Sequence, residues 1–121
     1  MTDVLFVEDD RSLATLLAET AHIVGCKAII AHDGEEALAL LRWLDPPPRL
    51  VMADVRMRPM DGIAFIRALR AEPRWQGITI VSTSGQASDA EAALAAGANV
   101  YYPKPFSIET LVALLTGSQP R

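Results

Sequence analysis

Val4-Leu5-Phe6-Val7-Glu8-Asp9-Asp10 is a run of four apolar residues that stops abruptly at three acids. A short continuous apolar run of this kind suits a strand covered on both faces, although periodicity alone does not separate it from a buried helix. The neighbouring segments favour the strand. Leu13, Leu16, Leu17, Ala21 and Val24 recur at helical spacing, and Gly25 supplies a stop. Ala28 to Ala31 then reads as a second strand. The chain therefore opens strand, helix, strand, with acids at the end of its first strand.

The same unit repeats outward to the carboxyl end. Asp33 and Glu36 have capping-box spacing at the start of a helix carrying Ala37, Leu38, Leu41 and Leu44, which Pro46-Pro47-Pro48 ends. Leu50 to Ala53 is a third strand with Asp54 at its end. A helix through Ile63 to Leu69 must close before Pro73. Ile78 to Val81 is a fourth strand, followed by Ser82-Thr83-Ser84-Gly85, whose composition is that of a turn. Ser88 and Glu91 have the spacing of a second capping box, opening an alanine-rich helix that stops at Gly97. Val100 to Tyr102 is a fifth strand, Lys104-Pro105 breaks it, and Ser107 can cap a last helix through Leu115. Residues 117–121 read as a frayed tail.

Five strands alternating with five helices imply an α/β fold: a doubly wound parallel sheet with right-handed crossovers and helices on two faces. A closed barrel of eight units would need about twice this length. One domain over residues 1–121, with its core at about 4–115, accounts for the whole chain of 121 residues.

Composition narrows the function. Half the chain is apolar and the formal charge is −4, which argues against a nucleic-acid platform, since phosphate binding needs a cationic face. Cys26 stands alone, so it has no intramolecular partner, and a buried structural thiol is expected. The start at Met1 lacks a basic secretory segment, and no apolar run nears the roughly 18 residues of a membrane span. The expectation is a cytoplasmic protein without membrane contact.

Ligands of doubly wound sheets bind outside the carboxyl ends of the strands. Those ends carry Glu8, Asp9 and Asp10, then Asp54, then Thr83 and Ser84, and finally Lys104. Asp10 is most simply a helix cap. If the first and third strands are neighbours, the remaining carboxylates crowd together, and a hard divalent cation such as Mg²⁺ relieves their repulsion. A lysine and a hydroxyl beside such a cation suit phosphoryl transfer, and a carboxylate is a known phosphoryl acceptor. Asp54, at the end of an otherwise apolar strand, is the natural nucleophile. Taken singly, each group has a bland reading as a cap, a turn or a solvated charge; together they mark one site.

These residues resemble the receiver domains of response regulators, the phosphoacceptor modules of two-component and phosphorelay signalling. The resemblance runs from about Val4 to Leu115 and is carried by Glu8-Asp9, the segment Asp54 to Gly62 (DVRMRPMDG), Ser84-Gly85, Gly97-Ala98 and Lys104-Pro105-Phe106. It implies a flavodoxin-like strand order of 2-1-3-4-5. It also implies that Asp54 accepts a phosphoryl group from a histidine of a sensor kinase or phosphotransfer protein. Asp9 and Asp54 would ligate Mg²⁺, with Glu8 acting through water and the Arg56 carbonyl completing the protein ligands. Lys104 would pair with Asp54 or with the phosphoryl oxygens, across a cis Lys104-Pro105 peptide. Ser84 and Tyr101 would form the switch, remodelling the face of the fourth helix, fifth strand and fifth helix for an unnamed downstream target. Such a chain is not an enzyme in its own right.

The chain departs from the family pattern in places. Arg58 stands where a proline is usual, with Pro59 one place later, and Thr79 stands where proline often begins the fourth strand. Ser84 lies twenty positions before Lys104, two fewer than usual, so counting back from Lys104 selects Ser82 instead. Competing readings are an aspartate-nucleophile phosphatase, which needs an acid where Arg56 stands, and a flavodoxin-type nucleotide binder, whose phosphate loop Glu8-Asp9-Asp10 would repel. A degenerate receiver acting as a phosphorylation-independent interaction module is the alternative within the family.

Overall fold

Successive side chains of a strand point to opposite faces of its sheet, and here both faces are apolar because helices cover both. The structure is a computed structural model and describes residues 1–117; the expected frayed tail therefore lies, beyond Gly117, outside the described residues. Strands β1 (Val4–Val7), β2 (Ala28–Ala31), β3 (Leu50–Asp54), β4 (Thr79–Ser84) and β5 (Val100–Pro103) alternate with helices α1 (Arg11–Ile23), α2 (Gly34–Trp43), α3 (Gly62–Ala71), α4 (Ala90–Ala96) and α5 (Ile108–Thr116). The sheet order is β2-β1-β3-β4-β5, and every neighbouring pair is parallel. This is the doubly wound α/β arrangement that the alternation implied.

Leu5 and Val7 of β1, Val51 and Ala53 of β3 and Ile80 of β4 join one core with Leu41 of α2, Phe65 and Leu69 of α3 and Ala93 of α4. The intervening residues Val4, Phe6, Leu50, Met52 and Val81 join the other, against Leu17 and Ala21 of α1 and Leu111, Leu114 and Leu115 of α5. Register aligns the strand ends: Val7 lies beside Ala53, and Asp54 beside Thr83. Three side chains cap helices as expected: Asp10 accepts from the amides of Ser12 and Leu13, Asp33 from Glu36, and Ser107 from Thr110.

Three local expectations change. Ser82-Thr83-Ser84 is not a turn but the end of β4, which is flanked by β3 and β5, so its backbone groups are paired and its hydroxyls buried. The Ser88 capping box does not form. Residues Ala87–Asp89 make a 3₁₀ turn, and Asp89 holds the N-cap position of α4 without a side-chain capping bond. Cys26 is half-buried, its Sγ donating to the Leu115 carbonyl at 3.2 Å. No helix among the described residues is long and apolar enough to cross a membrane.

One glycine ties α3 to the end of β3. The Gly62 amide donates to the Val55 carbonyl at 2.9 Å, and a Cβ there would collide with the Asp54 carbonyl oxygen and lie 2.7 Å from Val55 Cα. Backbone cannot yield as a flexible side chain can. Gly62→Ala is therefore expected to destabilise the fold by about 1–3 kcal/mol, read as a lower urea midpoint at unchanged m-value; an unchanged midpoint would contradict this packing.

Candidate functional site

The carboxyl ends of β1, β3 and β5 converge on a buried ion cluster. Glu8 directly follows β1 and is only 3% exposed, and Asp54 closes β3 at 6%. Lys104, just past β5, reaches both: its Nζ donates to Glu8 Oε1 at 2.8 Å and lies 3.4 Å from Asp54 Oδ2. The expected Lys104–Asp54 pair is present, but Glu8 is the nearer partner. Asp9 is exposed at the rim, and one carboxylate oxygen each from Glu8, Asp9 and Asp54 lie within 4.8 Å of one another. The Lys104-Pro105 peptide is cis, as is Arg58-Pro59 in the loop after Asp54.

Burial pushes the Glu8 carboxyl above its ordinary range, against the opposing pull of its hydrogen bond from Lys104. Asp54 is likewise raised by burial; the charge of Lys104 and the Arg56 amide hold it back, and the charge of Asp9 adds to the rise. For Lys104, burial alone would lower the pKa, but the Glu8 hydrogen bond and the charges of Asp54 and Glu8 outweigh it, so the ammonium is retained. One lysine thus faces three carboxylates, and two of them are less stable ionised here than in water. The donor set is all oxygen, which fits a hard divalent cation of the Mg²⁺ type.

The hydroxyls sit differently. Ser84 is fully buried, and its Oγ donates to the Gln86 carbonyl at 2.9 Å and lies 2.6 Å from the Tyr101 hydroxyl. The hydrogen-bond partners of this hydroxyl are therefore Gln86 and Tyr101, not the side chains of Asp54 or Lys104. Ser82, the alternative by spacing, is also fully buried and sits beside Tyr101 in register, and its Oγ has no hydrogen-bond partner among the described residues.

Arg56 carries a feature absent from the sequence reading. Its side chain spans to Asp89 with bonds of 3.0 and 2.8 Å and to Gln86 Oε1 at 2.9 Å, and its hydrogen bond to Asp89 holds that carboxyl below its ordinary range. His32 was missed too; its Nδ1 lies 3.1 Å from the Glu8 carbonyl oxygen. No periodicity links residues so far apart, so neither contact had a local signal. Beside Lys104, an apolar groove of about 410 Å³ is lined by Leu13, Leu16, Phe106, Ile108 and Leu111 among others. Leu16 is 47% exposed there rather than core.

A doubly wound parallel sheet with buried acids and a lysine at the carboxyl ends of its strands defines a class of α/β proteins whose ligands bind at that edge. Within that class, the chain belongs to the response regulator receiver domain family, whose profile matches residues 4–116. It is similar to the transcriptional regulatory protein CpxR of Escherichia coli, 39% identical over 113 residues, covering 93% of this chain and 47% of that protein. It is similar also to the response regulator MprA of Mycobacterium avium, 37% identical over 110 residues, covering 91% and 47% respectively. The chain thus spans about half the length of the curated relatives it matches. Among solved structures it resembles the chemotaxis response regulator CheY4 of Vibrio cholerae, with a TM-score of 0.87 at 29% identity, covering 97% of this chain and 98% of that one.

A raised carboxyl in the fold means that the native state keeps its proton to higher pH than the unfolded chain does. Stability of the metal-free protein should accordingly fall as pH rises from the ordinary Asp value of 3.8 through the raised value of Asp54. Asp54→Asn removes that burden and is expected to raise metal-free stability at neutral pH by about 1 kcal/mol, roughly 4 °C in Tm. A calorimetric Tm in chelator that stays level or drops would contradict the electrostatic account.

Proposed function

We propose that this chain is a phosphoacceptor receiver domain in which Asp54 takes up a phosphoryl group from a phosphohistidine of a sensor kinase or phosphotransfer protein. The observation that carries this reading is the buried Asp54 carboxylate, 3.4 Å from Lys104 and clustered with the oxygens of Glu8 and Asp9. A carboxylate oxygen of Asp54 attacks phosphorus, the P–N bond breaks, and its electron pair stays on the imidazole nitrogen, which takes a proton. Glu8, Asp9 and Asp54, with the Arg56 carbonyl, are the residues that would hold Mg²⁺. Bound there, the cation would supply neutralisation of charge on the transferring phosphoryl oxygens.

Lys104 serves the same end from the other side. Its ammonium is held at the site by Glu8, so it is in place to pair with a phosphoryl oxygen without being drawn from solvent. Ser84 is the favoured switch hydroxyl over Ser82, because it closes β4 and its carbonyl accepts the Lys104 amide at 2.7 Å. When its hydroxyl turns to the phosphoryl group, Tyr101 loses a partner and repacks, altering the α4-β5-α5 face for a downstream protein. The groove between α1 and the segment after Lys104, with exposed Leu16 and Ile108, suits docking of the phosphodonor helix. The chain acts as a single signalling module in the cytoplasm rather than as an enzyme with its own substrate. Its formal charge of −4 argues against its serving as a nucleic-acid platform, since phosphate binding needs a cationic face.

The test is direct. Acetyl phosphate with Mg²⁺ should add one phosphoryl group by intact-mass analysis, and chelator should abolish it. Asp54→Asn should not be labelled. Lys104→Met should slow labelling by about tenfold or more. Labelling that persists in Asp54→Asn would overturn the acceptor assignment, and a folded protein that takes up nothing would support the phosphorylation-independent module.

A further inference from the structure

The Ser84 hydroxyl has one proton and at most two acceptor positions, and both kinds of bond are already in use. It donates to the Gln86 carbonyl, and the Gln86 amide donates back to it at 3.2 Å. The Tyr101 hydroxyl sits 2.6 Å from Ser84 Oγ and 3.0 Å from the same Gln86 carbonyl. Gln86 is thus a shared partner of both hydroxyls, beside the Ser84 carbonyl that Tyr101 also reaches at 3.2 Å. Gln86 is in turn held by Arg56, whose side chain donates to its Oε1 at 2.9 Å and engages both oxygens of Asp89. Arg56 stands two residues beyond Asp54, in the loop that leaves the end of β3. One chain of contacts therefore runs from the loop after the acceptor to the start of α4 and back to the switch hydroxyls.

Resting on the phosphoacceptor reading, we propose that Arg56 and Asp89 form a latch that keeps Gln86, and through it the Ser84 hydroxyl, turned away from Asp54. Arg56 and Asp89 are positioning residues here: neither side chain hydrogen-bonds Asp54. A ligand at Asp54 that needs the Ser84 hydroxyl must break the Gln86 bonds, so its apparent affinity is reduced by the fraction of molecules in which the latch is open. Asp89 makes no capping bond to α4, so its truncation should release the latch without unwinding that helix. The Arg56 side chain is 58% exposed and that of Asp89 12%, so the pair should weaken in high salt.

Beryllofluoride with Mg²⁺, titrated by calorimetry into the whole chain, reads the latch. Asp89→Ala is expected to bind beryllofluoride roughly two- to fivefold more tightly than the wild type at low salt, with the gap closing near 1 M NaCl, where the Debye length is about 3 Å. Mg²⁺ alone should bind both proteins with matching affinity, a split that a general loosening of the fold would not produce. Arg56→Gln should give the same gain, and the double variant no more. If the gain disappears in the double variant, a freed guanidinium acting directly is responsible and the latch is overturned. If the wild type binds beryllofluoride but Asp89→Ala binds it equally or less well, the latch fails while the acceptor reading stands. If neither protein binds it, the acceptor reading itself fails and the latch with it.

Discussion

A single ammonium among carboxylates sets the terms for this molecule. Lys104 bridges Glu8 and Asp54, joining the segments after β1 and β5, at opposite ends of the chain, to the end of β3. Without that cation, two acids almost wholly buried would face each other uncompensated, and an unpaired buried charge is among the costliest features a fold can carry. With it, the balance is still incomplete: both carboxyls remain raised by burial. The unsatisfied remainder, on a donor set of carboxylate oxygens from Glu8, Asp9 and Asp54, is what a further hard cation would relieve.

The sheet makes this concentration of charge tolerable. Parallel register brings Val7, Ala53 and Ser82 level, so the residues beyond them emerge together at one edge. The two apolar layers beneath, built from alternate residues of the same strands, keep that edge rigid. Gly62 adds the close approach of α3 to the backbone of Asp54 and Val55, which holds the loop after Asp54 against the sheet. Stability elsewhere thus supports local electrostatic tension at the site, a common relation between scaffold and function.

Much of this was legible in the residues. The apolar runs located all five strands, with β3, β4 and β5 ending further along the chain than the runs and β4 starting one residue later, and the caps at Asp10, Asp33 and Ser107 were legible because capping depends on neighbours three residues away. The polar Ser82-Thr83-Ser84 was misjudged, since composition signals a turn only when no flanking strand claims the backbone, and here β3 and β5 do. Ser88 failed as a cap because its chain segment enters a 3₁₀ turn instead. The acids and the lysine were each identifiable, and the resemblance implied the Lys104–Asp54 pair; the closer contact of Lys104 with Glu8 was not legible.

By itself, then, the order of residues determined what the strands and helices are and which chemical groups stand at the strand ends, because burial periodicity and capping are local properties of the chain. Only the tertiary structure decided that Lys104 lies nearer Glu8 than Asp54, that Ser84 turns to Gln86 and Tyr101, and that Arg56 reaches Asp89. Each of those outcomes is a competition between partners differing by less than an ångström or by one side-chain rotation. Loop paths and helix placement settle such competitions, and no spacing along the chain records them.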